Sequence, residues 1–117
     1  IGPDHLFQIG SISKVFTALT LYSLNQEGKL SPNARLRQVL PNVAVANAEA
    51  VTLQHMLNHT SGLPGNAPAT PDGGLWSGFT PGEHWHYSNT GYELLSRAIA
   101  QAVVPAAPSP KPNRYPV

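Results

Sequence analysis

The sequence predicts a mainly α-helical chain. Two long apolar segments lie near its two ends, residues 10–27 and 89–103, and no alternating apolar/polar run is long enough to suggest a sheet strand. Cap and stop residues bracket both segments where helices need them.

The first helix is expected to begin near Gly10 or Ser11 and to run to Glu27, where Gly28 supplies the left-handed residue that closes many helices. Ile9, Ile12, Val15, Phe16, Ala18, Leu19, Leu21, Tyr22 and Leu24 cover nearly all of its sides. A helix apolar all round belongs in an interior, so Lys14 is expected where water is scarce. Ser31-Pro32 resembles an N-cap followed by proline at the first helical position, opening a short helix through Leu36 and Val39 that stops at Pro41. Thr52 is the candidate cap of a third helix of about two turns, through Leu53, Met56 and Leu57 and ended by Ser61-Gly62. From Pro64 to Gly82 the density of proline and glycine predicts irregular backbone, and a structureless loop of this length is usually functional or mobile. Ser88 or Asn89 then caps a last helix containing Tyr92, Leu94, Leu95, Ala98, Ile99 and Val103. The domain is expected to span 1–104, with 105–117 a proline-rich tail, disordered or extended.

The bulk composition narrows the function. Seven basic against six acidic residues leave a net charge of +1 without a basic run, which argues against a nucleic-acid surface. The chain has no cysteine, hence no disulfide or thiolate metal site, and fits either redox compartment. No apolar stretch approaches the length of a membrane span. The chain begins at Ile1, so any leader is expected to have been removed by processing or truncation, and no localisation follows. No cofactor is expected. His55 and His59 have the i, i+4 spacing that can hold zinc, but the accompanying Glu of a zinc-protease helix is lacking, and no metal is assigned.

Ser11 and Lys14 lie three apart, on one face of a helix. A serine hydroxyl becomes nucleophilic when a neighbour takes its proton, and a lysine does so when desolvation or another cation lowers its pKa. A helix start also offers backbone N–H groups and a positive dipole end to an oxyanion. The same spacing also fits a plain N-cap serine with a solvated lysine. At Tyr87-Ser88-Asn89, a phenol could relay a proton and an amide could hold both the lysine and a substrate carbonyl. There too a plainer account stands, in which Tyr87 packs on the core and Asn89 caps the last helix. His84 and His86 are expected near the mouth of the cleft. Trp85 and Trp76 could either receive an apolar acyl group or pin the loop; Trp85, His86 and Asn89 are taken as the substrate-binding candidates.

In combination, "FQIGSISKVFTA", "MLNHTSGLPG" and "PGEHWHYSNTGYELLSRAI" resemble the serine β-lactamase and penicillin-binding-protein superfamily, in its class C β-lactamase, D-alanyl-D-alanine carboxypeptidase and family VIII esterase branch. The likeness covers residues 3 to 103. It implies the helical subdomain of the β-lactamase/transpeptidase-like fold, with the sheet largely missing from this stretch. By it Ser11 is the acylated nucleophile, Lys14 its base partner, Tyr87 the proton relay and Asn89 the positioner, while His59 and Gly62 form a bracing turn. The likeness implies a small-molecule ester or amide substrate, short-chain esters first and β-lactam or D-Ala-D-Ala peptides next. The third superfamily element, Lys-Thr-Gly or His-x-Gly, does not occur in these residues. Losing one oxyanion donor costs about 3 to 4 kcal/mol of transition-state stabilisation, so slow turnover is expected. Helix faces that normally cover a sheet would stand bare, and a homo-oligomer is expected to cover them. A non-catalytic, self-associating helical fragment is the alternative.

Overall fold

A computed structural model describes residues 1–66 and 78–104. The proline tail and Trp76 lie outside the described residues. A 3₁₀ turn at Gly10–Ile12 leads into α1 (Ser13–Gln26), followed by α2 (Leu36–Val39), α3 (Leu53–Leu57) and α4 (Asn89–Val103). Among the described residues there is no β-strand, and Arg35 and Thr52 form an isolated antiparallel bridge.

The ends of the elements follow from local chemistry. Gly28, at φ +74°, turns the chain out of α1, with Lys29 N–H on the Leu24 carbonyl at 2.9 Å and Gly28 N–H on that of Asn25 at 3.0 Å. This paired pattern is the glycine-terminated helix end that the sequence predicts. Thr52 Oγ1 accepts from His55 N–H at 3.2 Å, and Thr52 N–H donates back to His55 Nδ1 at 3.1 Å, so α3 opens on a reciprocal cap. At α4 the cap is Ser88, whose Oγ accepts from Gly91 N–H at 2.9 Å. Asn89 is thereby left with its side chain for other work.

The stretch after Gly28 departs from expectation. Ser31-Pro32 does not start a helix; it makes a turn in which Ala34 N–H reaches the Ser31 carbonyl at 3.0 Å. Arg35 is then extended, at φ −83° and ψ 144°, and the helix begins only at Leu36. The reason is a non-local pairing. Leu36 N–H bonds the Val51 carbonyl at 2.7 Å and Leu53 N–H bonds that of Ala34 at 3.0 Å, which holds 34–36 alongside 51–53. The Arg37 guanidinium fastens the intervening turn through the carbonyls of Pro41, Val43 and Val45.

The core gathers Leu21 and Leu24 of α1, Leu36, Val45, Val51, Leu53, Met56, Leu63, and Leu94, Leu95 and Ala98 of α4. α4 packs on both α1 and α3. α1, in contrast, is not buried all round. Only Leu21 and Leu24 are sealed, while Phe16 (60%), Leu19 (60%) and Val15 stand exposed, as do Phe7, Ile9 and Ile12 in the stretch leading into it. The described elements cover one side of this helix, and composition alone does not say which side that is. Lys14 is accordingly half-buried rather than sealed from water.

Candidate active site

Two distant segments, residues 10–14 and 87–89, meet at the start of α1. Gly10, at φ +56°, bends the chain into the 3₁₀ turn that carries Ser11, and Lys14 follows in the first turn of α1. Lys14 Nζ donates to Ser11 Oγ at 3.0 Å and to Asn89 Oδ1 at 2.6 Å. From the stretch before α4, Tyr87 OH donates to the same Ser11 Oγ at 2.6 Å. Ser11 Oγ thus accepts from an amine and a phenol at once. The ammonium also sits 4.9 Å from the centroid of the Tyr87 ring and 5.7 Å from that of Tyr92, a cation–π arrangement on two sides.

Hydrogen bonding from Lys14 and then from Ser11 holds the Tyr87 phenol below the ordinary tyrosine range. Tyr92 goes the other way: burial raises it, and its hydroxyl donates to the Leu57 carbonyl at 2.7 Å. Tyr92 is therefore a packing phenol, whereas Tyr87 gives up its proton more readily than an ordinary tyrosine. Asn89 Nδ2 donates to Asn66 Oδ1 at 2.7 Å, and Asn89 N–H bonds the Gly65 carbonyl at 2.8 Å, so the 64–66 turn seats the head of α4.

His59 lies behind this group at φ +62°. Its ring stacks on Tyr87 with centroids 4.5 Å apart at 26°, and meets Trp85 edge-on at 5.8 Å. Burial, and secondarily the charge of Lys14, lower its pKa. Of the substrate-binding candidates, Trp85 is exposed beside Tyr87 and Asn89 lies inside the group. His86 is exposed and approaches Gly65 rather than Ser11. Among the described residues no cluster of three or more His, Cys, Asp or Glu could hold a metal ion, and no helix is long and apolar enough to cross a membrane.

Sequence reasoning missed two contributors. Asn66 lies in the proline-glycine loop, where no periodicity marks it, and Tyr92 was read only as a core residue of the last helix. Its i+3 spacing from Asn89 was the available signal, since that places both on the α4 face turned toward Lys14.

Comparison with known proteins gives a consistent picture. Residues 1–103 match the family described as Beta-lactamase. Penicillin-binding protein 4* of Bacillus subtilis (strain 168) is 38% identical over 118 residues, covering 85% of this chain and 26% of the relative. Penicillin-binding protein 4 of Amycolatopsis lactamdurans is 33% identical over 115 residues, covering 85% and 30%. Among solved structures, a D-stereospecific amidohydrolase from Streptomyces sp. superposes with a TM-score of 0.72 at 27% identity, over 89% of this chain and 39% of that one. The chain therefore spans less than a third of the length of these curated relatives.

Proposed function

Because the chain belongs to the Beta-lactamase family, matched over residues 1–103, we propose that it carries the nucleophile and proton-transfer groups of a serine acyl hydrolase. The observation that carries this reading is the convergence on Ser11 Oγ of Lys14 Nζ at 3.0 Å and Tyr87 OH at 2.6 Å, from positions 3 and 76 residues away. Ser11 Oγ attacks the substrate carbonyl carbon, and its proton passes to the Lys14–Tyr87 pair, either to neutral Lys14 or to Tyr87 as phenolate. The tetrahedral intermediate collapses as the same pair returns the proton to the leaving group, leaving an ester on Ser11 that water hydrolyses. Asn89 holds Lys14 and, once its amide exchanges Asn66 for substrate, receives the substrate carbonyl. Trp85, exposed beside Tyr87, is the aromatic available to an acyl group, whereas His86 is turned toward Gly65.

Short-chain carboxylic esters are the first substrate class, because an alkoxide leaves more readily than an amine and asks least of a site whose second oxyanion donor is not among these residues. Amides of the β-lactam or D-configured type come next, favoured by the names of the penicillin-binding relatives and of the amidohydrolase. The bare apolar face of α1 favours a second reading, a helical module that self-associates through it without turnover.

Intact-mass spectrometry separates the two. After a fluorophosphonate or a penicillin, a single adduct that disappears in Ser11→Ala supports the hydrolase. No adduct at any pH between about 6 and about 10, a span that reaches the ordinary tyrosine value, supports the inert module.

A further inference from the structure

Tyr87 is not on a helix. It sits in the extended stretch just before α4, with its side chain partly exposed, yet its hydroxyl has to stay 2.6 Å from Ser11 Oγ. What fixes it there is one residue from a different segment. The His59 carbonyl accepts from His86 N–H at 2.8 Å, its Nδ1 accepts from Ser88 N–H at 3.0 Å, and its ring lies flat against the Tyr87 ring between those two bonds. Residues 86, 87 and 88 are thus all held by His59. The left-handed backbone at φ +62°, which residues other than glycine and asparagine seldom adopt, turns both the carbonyl and the ring toward that stretch.

We propose that His59 is a positioning residue for the Tyr87 phenol and does this only as a neutral imidazole, a role that rests on reading Ser11, Lys14 and Tyr87 as the reacting group. Nδ1 must carry a lone pair to accept from the Ser88 N–H, which fixes the proton of the neutral ring on Nε2. Protonation turns that acceptor into a donor facing a donor, and it adds a second positive charge beside Lys14. The titratable groups around the ring among the described residues are Lys14 of α1, Tyr87 itself, and Tyr92 of α4, whose hydroxyl is already committed to the Leu57 carbonyl. No carboxylate among them would stabilise an imidazolium. Burial and Lys14 both resist protonation, so the clamp opens below the ordinary histidine range.

The test is an NMR titration of the full chain from about pH 8 downward, carried below the ordinary histidine range until the His59 ring titrates or the fold is lost. The Ser88 amide and the Tyr87 ring resonances are expected to shift with the midpoint of the His59 ring. His59→Asn, which tolerates the left-handed backbone and offers an amide oxygen to Ser88, should abolish that shift while α4 stays folded by circular dichroism. Fluorophosphonate labelling of Ser11 gives the second readout. Below the His59 midpoint the log of the wild-type rate should steepen from one-proton to two-proton dependence, and His59→Asn should restore the one-proton slope. His59→Phe, which keeps a ring but not the acceptor, should label on the order of 10- to 100-fold more slowly at pH 8. If the Ser88 and Tyr87 resonances ignore the His59 titration, or the wild-type slope does not steepen, the proposal is overturned. Resonances that follow His59 in a chain that never labels would uphold the clamp and remove the hydrolase reading instead.

Discussion

Lys14 meets its surroundings in two ways, by donating to Ser11 and Asn89 and by facing the rings of Tyr87 and Tyr92. The two roles come apart on substitution. Lys14→Arg keeps the cation and loses the removable proton, so if Lys14 accepts the Ser11 proton the variant should be as inactive toward a nitrophenyl ester as Lys14→Ala. A fully active Arg variant would hand the base role to Tyr87. Ester turnover should rise with pH as the Tyr87 phenol, held below the ordinary tyrosine value of about 10 by its hydrogen bonds to Lys14 and Ser11, loses its proton. Tyr87→Phe should lower turnover by about 10² to 10⁴. The histidines give a stability prediction of defined sign. Burial lowers His55, and burial with Lys14 lowers His59, so the unfolded chain binds protons more readily than the folded one. Their stabilisation is complete above about pH 6.5 and is lost as pH falls through their lower folded values, which a thermal midpoint measured downward from pH 7 should show.

At the scale of elements, the head of α4 decides whether the site assembles. The Ser88 hydroxyl accepts from Gly91 N–H and donates to the Pro64 carbonyl at 2.7 Å, and the residue is buried. Ser88→Ala removes the cap and leaves that carbonyl unpaired, and should cost about 1 to 3 kcal/mol in urea unfolding. It should also slow Ser11 labelling, since its neighbours are Tyr87 and Asn89. The cap at Thr52 and the stop at Gly28 are readable in the sequence, and the α4 cap is narrowed to Ser88 or Asn89, because each is settled by residues within one turn. Ser31-Pro32 was misread for the opposite reason. The pairing of 34–36 with 51–53 is decided by partners some 17 positions away, and no local motif announces it. The same holds for the site itself, where Ser11, Lys14, Tyr87 and Asn89 could be named as candidates, whereas Asn66 and the clamping geometry of His59 depend on how separate segments meet.

For the molecule as a whole, the contrast between the two long helices is decisive. α4 buries Leu94, Leu95 and Ala98 and carries a half-buried Glu93–Arg97 pair 2.8 Å apart; α1 leaves Val15, Phe16 and Leu19 in water, with Ile12 just before it. The apolar surround expected to desolvate Lys14 is therefore not supplied by the described residues. A face of this kind should drive self-association, so sedimentation should report a species larger than a monomer, and Phe16→Ser with Leu19→Ser should shift it downward. Leu94→Ala, at the sealed centre, should instead destabilise by about 2 to 5 kcal/mol without altering the assembly. The 76 positions that separate Ser11 from Tyr87 carry a further consequence. A growing polypeptide presents its serine to solvent long before the phenol has been synthesised, so a nascent chain carries only an ordinary alcohol at that position. On the proposed reading reactivity would arrive only when α4 docks on α1, making covalent capture at Ser11 a timer for that docking.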